Sequence, residues 1–170
     1  MKDESAFPGR EELPTAARRV ADALAEAGHE GEVRLMPTST RTAADAAATL
    51  AVEQRQIIKS LVFRGRSSDQ PVLALVDGTS RVNAVRLGNE VGEQVARPNA
   101  EWVRQRTGFG IGGVPPVGHD HSFLVVVDAR LTPLNSLWAA AGMPHAVFPV
   151  DGSQLVRLTG GRIARIAEVG

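Results

Sequence analysis

The sequence predicts a single domain of the α/β (mixed α+β) class, with a mixed, partly antiparallel, barrel-like sheet flanked by helices. Three observations predict this class. The chain has 170 residues, 43% apolar and 22% charged, which is enough to bury one core. Segments with helical periodicity interleave with short apolar runs. Several of these runs are separated only by turns, which favours antiparallel pairs over a doubly wound parallel sheet.

The N-terminal part of the chain divides into a lead-in and a first helix. Residues 1–13 mix charges without periodicity, so we expect a loose segment ahead of a domain spanning residues 14–170. A helix is predicted from Thr15 to the stop signal Gly28. Its apolar face is formed by residues at helical spacing, namely Val20, Leu24 and Ala27.

A short strand and a capped helix follow. Residues 32–36 predict the strand. The alanine-rich run after Thr42 predicts a helix, with Thr42 as N-cap and Asp45 three residues later in an acidic version of the capping box.

Two apolar runs then predict neighbouring strands over residues 57–63 and 71–76. Asp77-Gly78 turns the chain toward residues 81–83, and close strands with that connection suggest an antiparallel pair.

The second half of the chain continues the alternation. Helices are predicted over residues 84–91 and 99–106, the latter capped by Asn99 and stopped at Gly108. A strand over 123–127 ends at Asp128. The remaining predicted elements are a helix over 133–141, an edge strand over 146–150 containing Pro149, a helix over 153–158 and a final strand over 162–169.

Composition excludes several classes of function. There is no cysteine, which excludes disulfides, thiolate metal sites and cysteine nucleophiles. The formal net charge is 0, so the protein is not expected to coat nucleic acid through charge alone. No apolar run approaches the length of a membrane span and no signal-peptide pattern opens the sequence. We therefore expect a cytoplasmic protein.

The most unusual stretch is TGFGIGGVPPVGHDH, residues 107–121, in which five glycines surround two prolines. Glycine permits positive φ and close approach of the backbone to a ligand, while proline stiffens the chain. Gly108, Gly110 and Gly113 match the dinucleotide fingerprint. A helix-like segment precedes that match and a Pro-Pro pair follows it, so a nucleotide site is rejected. The open alternatives are a ligand-facing loop and a plain surface turn.

Lys59 is the first candidate for chemistry. Seventeen of the nineteen basic residues are arginine, and the other lysine, Lys2, lies in the lead-in. A single lysine inside the apolar run IIKSLVF indicates that an ammonium is needed there, because the two basic side chains differ in size and hydration. The alternative is a lysine that protects an edge strand from aggregation.

Two further candidates have structural alternatives. Asp128 ends the strongest strand, where a carboxylate either enters a site or caps the strand end. His119, Asp120 and His121 resemble a metal-ligand cluster but have no third partner at a recognisable spacing, which favours solvated loop residues. No nucleophile elbow, Walker loop or zinc-protease helix is present.

Three of these features together resemble the YbaK/EbsC family and the editing domain inserted in bacterial prolyl-tRNA synthetases. They are the lysine and following hydroxyl residue in IIKSLVF, the loop TGFGIGGVPPVG with Gly112 and Pro116 in the G-x-x-x-P pattern, and the strand ending VVVDARL. The match extends from about Thr40 to the C-terminus.

The resemblance implies a free-standing enzyme that hydrolyses the ester between a wrong amino acid and the 3′ end of tRNA, without metal or cofactor. It implies that Lys59 holds the terminal phosphate or ribose. Amides of Gly112 and Gly113 would stabilise the oxyanion, and water would be the nucleophile. Asp128 and Ser60 would form the polar floor, and the substrate site would be completed by Thr40, Phe109, Val114 and Pro116.

The implied partners are the acceptor end of aminoacyl-tRNA and prolyl-tRNA synthetase, with no membrane and no DNA. Family members that act on cysteinyl-tRNA carry aromatic residues ahead of the lysine, where this chain has Met36 and residues 39–42. Alanine, serine or threonine is therefore favoured over cysteine, with tRNA-Pro as the carrier. The alternatives are a non-catalytic module that binds aminoacyl-tRNA or a synthetase, and an ordinary esterase, which the lack of a triad disfavours.

Overall fold

A computed structural model of the chain describes residues 9–38, 40–119 and 123–170. The α-helices are α1 (Thr15–Glu26), α2 (Ala43–Leu50), α3 (Ala84–Val91), α4 (Ala100–Thr107) and α5 (Gly152–Thr159). The strands are β1 (Arg34–Leu35), β2 (Ile58–Gly65), β3 (Pro71–Asp77), β4 (Ser80–Val82), β5 (Val95–Ala96), β6 (Leu124–Asp128), β7 (Leu137–Ala140), β8 (Ala146–Val150), β9 (Arg162–Ala164) and β10 (Ala167–Val169).

The predicted helix signals operate as expected. In α2, the amide of Asp45 donates to Thr42 Oγ1 at 3.1 Å and the amide of Thr42 donates to Asp45 Oδ2 at 3.2 Å, which completes the capping box. Asn99 caps α4 by accepting from the amide of Trp102 at 2.8 Å. Gly108 then ends α4 in the left-handed region, with φ of 79°.

Part of the expected lead-in belongs to the packed domain. Residues 1–8 lie outside the described part of the chain. Residues Arg10–Glu12 form a 3₁₀ turn, and Leu13, only 4% exposed, packs in the main core against α1.

The main sheet is mixed and open, with the strand order β5-β2-β3-β6-β9. β2 and β3 pair antiparallel over seven residue pairs, as their spacing predicts. β6 runs parallel to β3, and β9 runs parallel to β6. β4 does not pair with β3 across the Asp77-Gly78 turn. It pairs antiparallel with the C-terminal β10.

The helix predicted over residues 133–141 is wrong. After a turn in which Ser136 adopts a left-handed φ of 58°, residues 137–140 form β7, which pairs antiparallel with β8. Leu137 and Ala139 are fully buried on one face while Trp138 and Ala140 are partly exposed on the other. Alanine and leucine favour a helix in isolation, but pairing with β8 and burial of alternate residues override that propensity.

The position of β8 also differs from the prediction. Instead of lying at an edge, β8 is the centre of a three-stranded sheet, between β1 and β7. Pro149 is tolerated there because β1 pairs only with Ala146 and Val147, so the ladder on that side ends before the proline is reached.

The final predicted strand is divided in two. β9 joins the main sheet and β10 joins β4, and the chain changes direction between them at Arg165 and Ile166. The buried carboxylate of Asp128 occupies this break and accepts the amides of Ile166 and Ala167, both at 2.9 Å.

The apolar side chains form one large core and two smaller ones. The large core lies between the main sheet, α1 and β7–β8, and a second cluster covers the opposite sheet face under α3 and β10. The third cluster joins α2 to Ile57 and Val147, beside the free edge of β2. Within the described residues, no helix is long and apolar enough to cross a membrane.

Candidate functional site

A cavity of about 220 Å³ opens beside β2, where the main sheet meets α2 and the β7–β8 pair. Its walls are largely apolar. They are formed by Met36, Ala43, Ala46, Ile57, Ile58, Leu61, Val62, Pro98, Val103, Ile111, Val114, Trp138, Ala140, Pro144, Ala146 and Val147, with Arg41, Thr42, Lys59, Ser60, Arg97 and Gly112 as the remaining members.

The cavity lies along the edge of a strand and not on its face. Side chains of β2 alternate between the two cores, with Ile58 and Val62 in the first and Phe63 in the second. Six consecutive residues, 57–62, nevertheless line the cavity. On this edge, as far as the described chain goes, the bridges are one between Trp138 and Ile57, just before β2, and those of β5 with the last two residues of β2. Backbone N–H and C=O groups of the strand therefore face the cavity without a strand partner.

The charged residues of the cavity wall are all basic. Arg41, Lys59 and Arg97 line it, and no described lining residue carries a carboxylate or an imidazole. Such a site attracts an anionic group. It offers no protein group suited to act as a general base near neutral pH.

Lys59 is half-buried at this edge, and a turn positions its ammonium. Lys59 Nζ donates to the carbonyl of Ser80 at 2.9 Å. Ser80 Oγ in turn donates to Asp77 Oδ2 at 2.7 Å, and the Thr79 amide donates to Asp77 Oδ1 at 2.9 Å. An ammonium has three N–H donors, so two are left for a ligand.

Asp77 is the buried anchor of that turn. Its burial is the largest influence and acts to raise its pKa, but the hydrogen bonds from Thr79 and Ser80, with the charge of Arg130, hold the pKa of Asp77 below its ordinary value. The carboxylate is therefore ionised at neutral pH and keeps the Ser80 carbonyl in place beneath Lys59.

Arg97 lies between β5 and α4, with its guanidinium 5.1 Å from the ring centroid of Phe63. It makes no hydrogen bond or ion pair within the described residues. Loss of solvent around the guanidinium lowers the pKa of Arg97, although an arginine is still charged at neutral pH. A partly desolvated cation without a counter-ion, at the wall of a cavity, is suited to bind an anion.

The glycine loop reaches the cavity through Ile111, Gly112 and Val114. Gly112 has φ of 89°, which explains the glycine there. The amide of Gly113 already donates to the Gly110 carbonyl at 3.1 Å, and a Cβ on Gly113 would lie 2.7 Å from the backbone of Met143. The amides of Gly112 and Val114 make no hydrogen bond within the described residues, so these two, rather than Gly113, are available to a ligand.

Asp128 is not brought to the cavity. It is 2% exposed, and its carboxylate accepts three backbone amides, those of Arg130, Ile166 and Ala167, at 2.9–3.0 Å. All three donors are main-chain groups, one just after β6 and two where the chain passes from β9 to β10. This arrangement corresponds to the structural alternative, a strand-end carboxylate that fixes the C-terminal segment.

The other predicted site residues divide between wall and support. Ser60 lines the cavity, and its buried hydroxyl has no hydrogen-bond partner in the described chain. Thr40 is 3% exposed and lies just before the lining residues Arg41 and Thr42, with its hydroxyl 3.4 Å from that of Thr49. Phe109 and Pro116 are buried and contribute to the support of the loop, not to the wall.

The contacts of His119 also indicate a structural role. Its Nε2 is 2.6 Å from the Pro115 carbonyl, and its ring packs edge-on against Phe109 and Phe123. Asp120 and His121 lie outside the described residues. Among the residues that are described, no three His, Asp or Glu side chains come close enough together to hold a metal ion.

Sequence reasoning missed Arg97 and Trp138. Arg97 is one of seventeen arginines, and nothing in its local pattern indicates that it lies in a cavity. Trp138 lies in the segment that was wrongly predicted as a helix. Only a strand there brings it beside Ile57.

Known proteins resemble this chain in sequence and in fold. Residues 38–158 match the family described as the aminoacyl-tRNA editing domain. A solved structure described as that of "a putative trans-editing enzyme for prolyl tRNA synthetase" is similar, with a TM-score of 0.87 and 40% identity, over 92% of this chain and 99% of that one. The chain belongs to the aminoacyl-tRNA editing domain family.

Two curated relatives differ in how much of their own length the chain covers. An uncharacterised protein of Bacillus subtilis, YwhH, is 29% identical over 74% of this chain and 80% of its own length. A proline–tRNA ligase of Streptococcus equi subsp. equi is 33% identical over 64% of this chain. That match covers only 18% of the ligase, so the chain corresponds to a small part of such an enzyme.

Proposed function

We propose that this protein is a trans-acting aminoacyl-tRNA deacylase of the cytoplasm, which hydrolyses the ester of mischarged tRNA. The observation that carries the proposal is the composition of the cavity. Among the described residues, three basic residues and no acidic residue line a small, mostly apolar space. This combination suits the 3′ end of aminoacyl-tRNA, because basic residues can bind the phosphate of the terminal adenosine and an apolar space can hold a small aminoacyl group.

For hydrolysis of this ester, the protein mainly has to position the substrate. An aminoacyl ester is already activated, so the main requirements are to hold it and to stabilise the oxyanion that develops at its carbonyl. We assign the terminal phosphate or ribose to Lys59 and Arg97. The free amides of Gly112 and Val114 are suited to donate to the oxyanion, and the unpaired hydroxyl of Ser60 is suited to contact the substrate.

The nucleophile in this proposal is water, assisted by a hydroxyl of the substrate ribose. The ester carbon gains a bond to the water oxygen and loses its bond to the ribose oxygen. The water proton passes to that ribose oxygen, giving free tRNA and an amino acid. The lack of carboxylate and imidazole among the described lining residues favours assistance by the substrate over a protein base.

Relatives named for prolyl-tRNA synthetase and for proline–tRNA ligase support tRNA-Pro as the carrier and that synthetase as a partner. The cavity walls formed by Met36, Ala46 and Trp138 suit a small side chain. We propose alanine, serine or threonine, in preference to cysteine, as the amino acid removed. An apolar pocket separates such similar side chains only modestly, so relative rates rather than absolute exclusion are expected.

The alternative, a non-catalytic module that binds aminoacyl-tRNA or a synthetase, predicts a cavity filled by bulky side chains. Lys59 and Gly112 instead share one open cavity, which favours the enzyme.

The deciding experiment measures release of labelled alanine, serine, threonine and cysteine from charged tRNA, including mischarged tRNA-Pro. We expect acceleration over buffer with at least one of the first three on tRNA-Pro, and loss of it in Lys59→Ala. The absence of acceleration with every member of the panel would exclude the deacylase.

A further inference from the structure

Four arginines lie on the elements beside one wall of the cavity, namely the last part of β2, the residues before α4, and α4 itself. They are Arg64, Arg97, Arg104 and Arg106. The acidic residue that pairs with any of them in the described structure is Asp69, which contacts both Arg64 and Arg106. Glu101 on α4 accepts from Gln105 instead. The cluster therefore has an excess of positive charge, although the formal net charge of the whole protein is 0.

Trp102 holds two of these arginines in fixed positions. The guanidinium carbons of Arg64 and Arg106 lie 5.6 Å and 5.1 Å from the centroid of its indole ring. Asp69, which adopts a left-handed φ of 62°, joins the same two side chains. One carboxylate neutralises only one of the two charges. Because stacking and pairing already order both guanidiniums, a ligand that contacts them needs to immobilise little more.

The cluster is connected to the cavity wall through β5, because Arg64 pairs with Ala96, the residue before the lining residue Arg97. Val103, next to Trp102, and Arg97 both line the cavity. On the other side of α4, the exposed Arg104 has no hydrogen bond or ion pair within the described residues. Its Nη2 lies 3.3 Å from the position that a Cβ on Gly110 would take, directly before the lining residues Ile111 and Gly112.

We propose that this surface, made of Arg64, Trp102, Arg104 and Arg106, binds the sugar–phosphate backbone of the tRNA acceptor arm. The inference rests on the proposed function. An RNA whose 3′ end occupies the cavity must leave through its mouth, and its next phosphates then pass the surface. Planar guanidiniums suit phosphate, and a protein with no net charge is expected to bind RNA through a local basic surface and not over its whole exterior.

The test uses full-length tRNA that carries no amino acid, so that the measured affinity does not depend on catalysis. Its affinity is measured by fluorescence anisotropy at several salt concentrations for the wild type, Arg104→Ala and Arg106→Ala. Arg157→Ala is the matched control, because Arg157 is also exposed but lies on α5 beside a different groove. We expect Arg104→Ala to weaken binding by about fivefold to tenfold. The slope of log K against log salt should fall by about 0.7–0.9 for the lost phosphate contact.

A second measurement compares deacylation of aminoacylated full-length tRNA with that of an aminoacylated CCA trinucleotide, which is too short to pass the surface. The ratio of the two rates should fall in Arg104→Ala and stay constant in Arg157→Ala, with equal melting temperatures as evidence of folding. Binding by Arg104→Ala equal to that of Arg157→Ala would overturn the proposal. So would a loss of activity shared equally by the trinucleotide. If the protein shows no deacylase activity, the affinity for tRNA still tests the proposed surface.

Discussion

Lys59 combines a fixed position with an unneutralised charge. Its ammonium is fixed by the Ser80 carbonyl but not neutralised, since a carbonyl carries no net charge. The lysine stands on the unpaired edge of β2, as the edge-strand alternative requires, yet that edge faces a cavity lined by two other cations. A residue that only protected an edge from aggregation would have no need of such surroundings.

We expect Lys59→Ala to lose most deacylation while the protein stays folded. Removal of a charge-assisted contact that orients the substrate costs on the order of 2–4 kcal/mol in the transition state, or roughly 30- to 1000-fold in rate. Lys59→Arg should fail nearly as badly, because a longer, planar guanidinium does not fit where a compact ammonium is held by Ser80. Single-turnover deacylation and a melting curve measure both effects.

Lys59→Met is the matched control, because it keeps the apolar stem and removes only the charge. It should be as inactive as the alanine variant and more stable than it. Full activity in the arginine variant would mean that charge alone matters at this position. Near-normal deacylation rates in all three variants would indicate that Lys59 has only a structural role.

At the scale of elements, the ends of helices were predictable because they depend on residues close together in the sequence. The Thr42–Asp45 capping box, the Asn99 cap and the Gly108 stop each lie within four residues of the groups they satisfy, and all three were correctly predicted. β7 could not be predicted in this way. Its strand conformation depends on β8 and on burial against the main core, which no pattern within residues 133–141 reveals.

The turn between β3 and β4 gives a prediction of pH dependence. The pKa of Asp77 in the folded protein lies below its ordinary value of 3.8. A depressed carboxylate pKa stabilises the fold above the unfolded-state pKa, and the contribution is lost as pH falls through the folded-state pKa. Asp77→Asn should therefore cost about 1–3 kcal/mol at neutral pH, since charge-assisted hydrogen bonds are lost. The difference should shrink below about pH 4.

Urea unfolding of the wild type and Asp77→Asn at a series of pH values measures this. Asp45→Asn is the comparison variant, because its carboxylate also has a lowered pKa, through hydrogen bonds with Arg41 and Thr42, but lies on the exposed surface of α2. A constant difference between Asp77→Asn and wild type down to pH 3 would contradict the ionised, hydrogen-bonded carboxylate.

At the scale of the molecule, the class of fold followed from the alternation of helical and strand-like segments, and the family followed from three motifs in order along the chain. The site followed only in part. Lys59, Ser60, Gly112 and Val114 were predicted and do line the cavity. Arg97 and Trp138 were missed because each enters the wall through long-range packing. Asp128 was placed in the site because a strand end often faces one, whereas here the strand end faces the C-terminal segment.

Asp128 links distant parts of the chain and gives the last prediction. Its carboxylate joins the end of β6 to residues 166 and 167, between the strand that completes the main sheet and the strand that pairs with β4. In Asp128→Asn one oxygen can still accept amides, but the new NH₂ group faces the Arg130 amide, so two donors meet. We expect a loss of about 1–3 kcal/mol, or roughly 2–4 °C in Tm for each kcal/mol.

The rate per folded molecule distinguishes this structural role from a catalytic one. Single-turnover deacylation well below the melting temperature should stay close to wild type in Asp128→Asn, because no group of the cavity wall is changed. Asp128→Ala should lower Tm further, since all three buried amides then lack their acceptor. A folded Asp128→Asn protein as slow as Lys59→Ala would show that the carboxylate acts in the reaction. The cavity would then have to reach a residue that is 2% exposed and does not line it.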